Sequence, residues 1–84
     1  MNYIFADTYV DSKFTSIELG LKDWGMLHSP HLVGPQSIIW IDDTASWRVD
    51  YESVLAVLRL RGASLRPVPR LAPGGPRRGG AWGG

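Results

Sequence analysis

The segment SIIWIDD, residues 37–43, decides the fold, because it is the clearest strand in a chain of 84 residues. Its run of four apolar residues, from Ile38 to Ile41, has no polar alternation, which is typical of a central strand buried on both faces. We expect Trp40, inside this run, to lie in the core, where a large aromatic side chain buries roughly 150–250 Å². The neighbouring segments are therefore interpreted as elements that cover or extend this strand.

The clearest helix follows this strand and is predicted over about residues 45–61. An apolar stripe at helical spacing runs through it and consists of Tyr51, Val54, Leu55 and Leu58. Asp50 is a suitable N-cap and Gly62 a suitable C-cap, and an earlier start capped by Thr44 fits the pattern as well. This helix has one apolar side, so we expect it to pack on one face of a sheet.

The segment before the central strand contains one predicted strand and one predicted loop. Residues 2–10, NYIFADTYV, are rich in aromatic and β-branched residues and predict a strand. Residues 26–36, MLHSPHLVGPQ, contain two prolines and a glycine and predict a loop. The element between them decides whether the sheet is built from hairpins or from crossover helices.

Residues 11–25 fit two structures. Apolar and polar residues alternate from Ile17 to Leu21, which favours a second strand in a hairpin with the first. Phe14, Ile17 and Trp24 also share a helical spacing, but Gly20 lies within that stripe and costs a helix roughly 1 kcal/mol. We favour the hairpin. The helical alternative would give the order strand, helix, strand, helix.

Prolines and glycines determine the structure that we predict for the carboxyl-terminal part of the chain. Pro67 and Pro69 lack the N–H groups that a central strand needs, so residues 63–70 predict an edge strand or a polyproline segment. Residues 72–84 are rich in Gly, Pro and Arg, and predict a flexible tail. The predicted fold is α+β: a small, mostly antiparallel sheet of three to four strands with one helix packed on it, in a single domain over residues 1–71.

Composition excludes several classes of function. The chain has no cysteine, so disulfides and thiolate metal sites are excluded, and a reducing cytoplasm is the expected compartment. No segment is long and apolar enough to cross a bilayer, so we expect no membrane partner. No phosphate-binding loop or nucleophile motif is present, and we predict no cofactor and no enzyme activity.

Charge is divided along the chain. All 8 acidic residues lie within residues 1–58, whereas residues 59–84 contain six arginines and no acid. Separated charges of opposite sign favour the steering of a macromolecular partner. The unpaired edge of the predicted sheet leaves open a homodimer, in which that edge would pair with a second copy of the chain.

Three aspartates suggest a catalytic alternative. Asp7 lies in the first predicted strand, and Asp42 and Asp43 end the central one. If these strands are neighbours, the carboxylates converge at one edge of the sheet, where they would bind Mg²⁺ as in metal-dependent nucleases. The competing interpretation is a strand-to-helix turn in which Asp and Thr cap the backbone.

The basic end suggests a nucleic-acid-binding alternative. Arginine and glycine beside an aromatic residue are typical of RNA-binding tails, in which guanidinium groups contact phosphate and rings stack on bases. The residues that would bind are Arg66, Arg70, Arg77, Arg78 and Trp82. The acidic body opposes this function, because it repels the phosphate backbone.

The function that we favour is binding to a partner protein, which the chain would block or modulate. Four tryptophans are many for this length, and exposed aromatic and arginine residues anchor interfaces. The predicted contact residues are Trp24, Trp47, Trp82, Arg77 and Arg78. A short, cysteine-free chain of this kind is typical of phage and mobile-element accessory proteins that act as inhibitors.

Overall fold

The computed structural model describes residues 1–69. In these residues the elements are β1 (Asn2–Phe5), α1 (Tyr9–Leu19), β2 (Trp24–Met26), β3 (Ile38–Ile41), α2 (Tyr51–Leu60) and β4 (Ser64–Pro67). Two 3-10 turns lie at Pro30–Leu32 and Asp43–Trp47. None of the helices in this part of the chain is long and apolar enough to cross a membrane. The predicted tail, residues 72–84, lies outside the described residues.

The four strands form one sheet in the order β2-β1-β3-β4, and every pair in it is parallel. Asn2 of β1 is in register with Trp24 of β2 and with Ile38 of β3. The prediction of a mostly antiparallel sheet is therefore wrong. The physical reason is that a long crossover segment follows each of β1, β2 and β3, where an antiparallel neighbour would need a tight turn.

The strand order places the two helices on opposite faces of the sheet. The chain moves from β1 to β2 in one direction and from β3 to β4 in the other, and right-handed crossovers then lie on opposite sides. The hydrophobic core lies on the α2 side. It consists of Phe5, Leu27, Val33, Ile39, Ala45, Val54, Leu55 and Leu58. No residue of α1 belongs to this cluster.

Residues 11–25 form helix α1, its connection and β2, so the favoured hairpin is wrong. Thr8 is the N-cap of α1, and its side chain accepts a hydrogen bond from the Asp11 amide. Gly20 has a φ of 69° and ends the helix, donating its N–H to carbonyls of the last turn. The glycine that counted against a helix is thus its C-cap, at a position where a left-handed residue is required.

The predicted helix over residues 45–61 is real but shorter, because α2 begins at Tyr51 and residues 43–47 form a 3-10 turn. Asp50 precedes α2 without a capping hydrogen bond from its side chain, which is paired with Arg48 instead. Val54, Leu55 and Leu58 are buried, as the apolar stripe predicted. Beyond α2, β4 lies at the edge of the sheet, which confirms the prediction for the proline-containing segment.

Trp40 is half-buried and lies outside the core cluster, contrary to the prediction. It pairs with Ile4 on the face of the sheet opposite α2, and α1 on that face packs on β1 and β2. Its indole Nε1 donates to Oδ1 of Asn2 at 3.0 Å, and the Arg66 guanidinium lies 5.8 Å from its ring centroid. A polar atom and a cation therefore cover part of this ring.

Candidate functional site

The carboxyl ends of β1 and β3 meet at one edge of the sheet, at the point where the strand order reverses direction. Parallel sheets place ligand sites at such points. Asp7 follows β1, and Asp42 follows β3. The amide of Asp7 donates to Oγ1 of Thr44 at 3.0 Å, so the two strand ends are directly connected.

Asp42 is the centre of a buried hydrogen-bond network at this edge. Its side chain is only 1% exposed. Oδ1 accepts a hydrogen bond from the Thr15 hydroxyl at 2.6 Å, and Oδ2 accepts bonds from the Thr44 hydroxyl at 2.6 Å and the Thr44 amide at 3.1 Å. The carboxylate therefore joins α1 to the end of β3 and caps the 3-10 turn that follows.

The three aspartates predicted to bind a metal do not form a metal-ligand cluster. Within residues 1–69, no group of three or more His, Cys, Asp or Glu side chains is placed to hold a metal ion. Both oxygens of Asp42 accept bonds from threonines, Asp7 is half-buried, and Asp43 is exposed in the 3-10 turn. The arrangement is the strand-to-turn capping that the sequence offered as the competing interpretation.

An open depression of about 520 Å³ lies beside this edge and is lined by Asp7, Trp47, Arg48, Val49 and Asp50. Arg48 donates two hydrogen bonds to the Asp50 carboxylate, from Nε at 2.9 Å and from Nη2 at 3.0 Å. These bonds lower the pKa of Asp50 from its ordinary value. The guanidinium also lies 5.5 Å from the Phe5 ring centroid, so Arg48 is fixed between the core and the carboxylate.

Helix α1 packs on the sheet with its polar side. Its buried residues are Asp11, Ser12, Thr15 and Ser16. Short polar side chains of this kind let the helix lie close to the strands, and their hydrogen bonds are made locally or to Asp42. The Asp11 carboxylate accepts from Thr8, and the Ser12 hydroxyl donates to the Thr8 carbonyl.

The apolar side of α1 faces solvent, and we name it the outer α1 face; it consists of Val10, Lys13, Phe14 and Ile17. The exposed fraction is 60% for Val10, 48% for Phe14 and 67% for Ile17. These side chains and the Lys13 stem line a hollow of about 250 Å³. A helix packed on a sheet normally turns such a stripe toward the core, so α1 is inverted relative to the usual arrangement.

The predicted partner-contact residues are scattered. Trp24 is half-buried in β2 and stacks on Tyr9 with ring centroids 6.1 Å apart, whereas Trp47 is 61% exposed beside the depression. Arg66, predicted to bind nucleic acid, is exposed on β4. The remaining predicted contact residues lie outside the described part of the chain: Arg70, Arg77, Arg78 and Trp82.

Sequence reasoning missed the outer α1 face as a site, although a signal for it was present. The sequence places Phe14 and Ile17 at helical spacing, in a stripe that continues to Trp24. The informative pattern is on the other side of the helix, where Ser12, Thr15 and Ser16 form a face of small polar residues. A helix with one small polar face and one apolar face has two possible orientations, and periodicity alone does not choose between them.

Comparison of the chain with protein-family models, with curated proteins and with solved structures finds no match.

Proposed function

We propose that the chain is a protein-interaction domain that binds and modulates a partner protein, and that the outer α1 face is its contact surface. The observation that supports the proposal is the inverted packing of α1, which leaves Val10, Phe14 and Ile17 in water. Single exposed apolar residues are common, but a contiguous apolar strip on one helix is typical of a surface that a partner covers.

The free energy available at this surface is modest. Full burial of one such side chain contributes about 1.5–3 kcal/mol, and roughly half of each is already covered by the domain. Val10, Phe14 and Ile17 together therefore offer about 3 kcal/mol to a partner, before any contribution from flanking groups. This magnitude is appropriate for a reversible contact that regulates, and less so for a permanent complex.

The domain presents this surface in a preformed state. Thr8 caps the start of α1, Gly20 ends it, and the bond from Thr15 to Asp42 holds its inner side on the sheet. A partner that binds the outer α1 face thus does not have to order the helix, and this lowers the entropic cost of association. Recognition of one face of a helix by an apolar groove or a second helix is the interaction mode that fits.

The proposal also places the protein in the cytoplasm. A chain without cysteine has no thiols to oxidise or to form disulfides, so its stability does not depend on an oxidising environment. Such a chain suits a reducing compartment.

The proposal is tested by photo-crosslinking in the cells that express the chain. A photoreactive phenylalanine analogue replaces Phe14 in one variant and Ile17 in a second. The control carries the same analogue in place of Glu52, which is exposed on α2, on the other face of the sheet. We expect discrete protein adducts from positions 14 and 17 and none from position 52.

Equal adduct yields at all three positions, or none at position 14, would contradict the assignment of this surface. Each variant must keep the wild-type melting temperature, which is expected because the replaced side chains are largely exposed.

A further inference from the structure

The outer α1 face has the spacing of a helix-pairing seam. Val10, Phe14 and Ile17 are separated by four positions and then by three, which is how core positions alternate in a two-helix coiled coil. Lys13 and Glu18 lie on the two flanks of this stripe, and both are exposed. In the heptad notation, the apolar residues occupy d, a and d, Lys13 occupies g, and Glu18 occupies e.

The flanking charges distinguish between two ways of pairing identical helices. In a parallel pair, a g residue of one helix meets the e residue five positions further along the other. Lys13 and Glu18 have this separation, so a parallel pair brings each Lys13 beside the Glu18 of the other copy, two contacts between opposite charges. In an antiparallel pair each flank meets the same flank of its copy, and Lys13 then faces Lys13.

We infer that the occupant of the outer α1 face is a second copy of this chain, packed through parallel α1 helices about a two-fold axis. This inference rests on the proposed function, because it names the partner at the same surface. A two-fold contact needs a self-complementary patch, and Val10, Phe14, Ile17 and both charges are supplied by one helix. The face points away from the sheet, so the two sheets lie on opposite sides of the helix pair.

The dimer is small and therefore weak. The 11 residues of α1 span about 16 Å at 1.5 Å per residue, which is one and a half heptads. An interface of this length falls in the class of small, transient contacts. The apolar side chains of the two copies together offer about 6 kcal/mol, and lost translational and rotational freedom offsets about 4 kcal/mol or more, so we expect a dissociation constant in the millimolar range, on the order of 1–10 mM.

Charge reversal tests the inference by sedimentation velocity over a concentration series. Lys13→Glu and Glu18→Lys should each weaken self-association by about fivefold, because each replaces two attractive contacts with two repulsive ones. An equimolar mixture of the two variants should associate more tightly than either alone, because both contacts are then attractive. The matched controls Lys22→Glu and Glu52→Lys change the net charge equally and should leave association unchanged.

Cysteine crosslinking tests the orientation, and the cysteine-free chain makes the result unambiguous. In the parallel pair, position 10 lies beside position 10 of the second copy, so Val10→Cys should form a disulfide-linked dimer under mild oxidation. In an antiparallel pair a d position lies beside an a position of the second copy, so Val10→Cys would crosslink only when mixed with Phe14→Cys. The control Ser53→Cys, on α2, should stay monomeric.

A chain that shows no self-association up to about 5 mM, or a mixture of charge variants that associates no better than its components, would overturn the inference. Failure of this kind is distinguishable from failure of the proposed function. Photo-adducts from position 14 that contain another protein would retain the interaction surface while excluding a second copy as its occupant. Adducts with twice the mass of the chain would support both.

Discussion

The substitution Thr15→Val removes the hydrogen bond that joins the buried side of α1 to the end of β3. Valine has nearly the shape of threonine, so packing is retained while the Oδ1 atom of Asp42 loses a donor at 2.6 Å. Both side chains are at most 1% exposed, so water cannot replace the lost donor. Removing the donor from a buried acceptor costs about 1–3 kcal/mol, and we expect a loss of about 2 kcal/mol in the free energy of unfolding.

The assay is urea unfolding followed by circular dichroism, supported by thermal melts, in which 2 kcal/mol corresponds to roughly 8–16 °C for a domain of this size. The matched control Thr15→Ser keeps the hydroxyl and removes one buried methyl group, which costs about 1 kcal/mol. Thr15→Val should therefore be the less stable of the two. If it equals or exceeds Thr15→Ser in stability, α1 is held by packing and the reasoning is refuted.

Three further predictions concern the core, a helix end and pH. Leu58→Ala should cost about 2–5 kcal/mol in urea unfolding, because Leu58 is fully buried in the core cluster, whereas Leu60→Ala, at an 87% exposed position, should stay within about 0.5 kcal/mol of wild type. Gly20→Ala should cost about 1–2 kcal/mol in the same assay, because φ is 69° there; an unchanged midpoint would mean that the cap is not needed. The pKa of Asp50 is lowered by the hydrogen bonds from Arg48, so its contribution to stability is complete above a pH of about 4 and is lost as the pH falls further. The melting temperature of Arg48→Met should therefore fall less than that of wild type between pH 7 and pH 3. An equal fall would show that the ion pair does not contribute to the pH dependence of stability.

The elements with strong local signals were predictable from the sequence. The apolar run over residues 37–43 contains β3, and the stripe through Val54, Leu55 and Leu58 is the buried face of α2. Pro67 predicted an edge position for β4, because a strand residue without an N–H group is tolerated only at the edge of a sheet, and β4 lies there. In each case one local property determines the structure of the segment: a continuous apolar run, a helical period of apolar residues, or a proline without an N–H donor.

The parallel pairing was not predictable, because it depends on residues whose local signals are weak or misleading. β2 is three residues long and contains Gly25, so it carries no strand pattern of its own. Gly20 was interpreted as a helix breaker within a stripe, whereas its positive φ makes it the end of the helix. The favoured hairpin has no helix in this segment, so the crossover that allows parallel strands is present only in the helical alternative.

The candidate site was only partly predictable for a related reason. Strand-end acids were expected at one edge of the sheet, and the parallel order does bring the ends of β1 and β3 together there. The burial of Asp42 depends on a hydroxyl of α1, which no short-range pattern indicates. The outward orientation of Phe14 results from the same contact, since α1 turns its polar side to the sheet.

The strand order also has a kinetic consequence. β1 is an inner strand, and its neighbour β3 is separated from it along the chain by α1, β2 and a long connection. Pairings between such distant segments require the closure of large loops, which slows folding relative to a helical bundle of equal size. During synthesis, β1 leaves the ribosome well before β3, so one of its edges remains open to other chains until the second half of the domain has emerged.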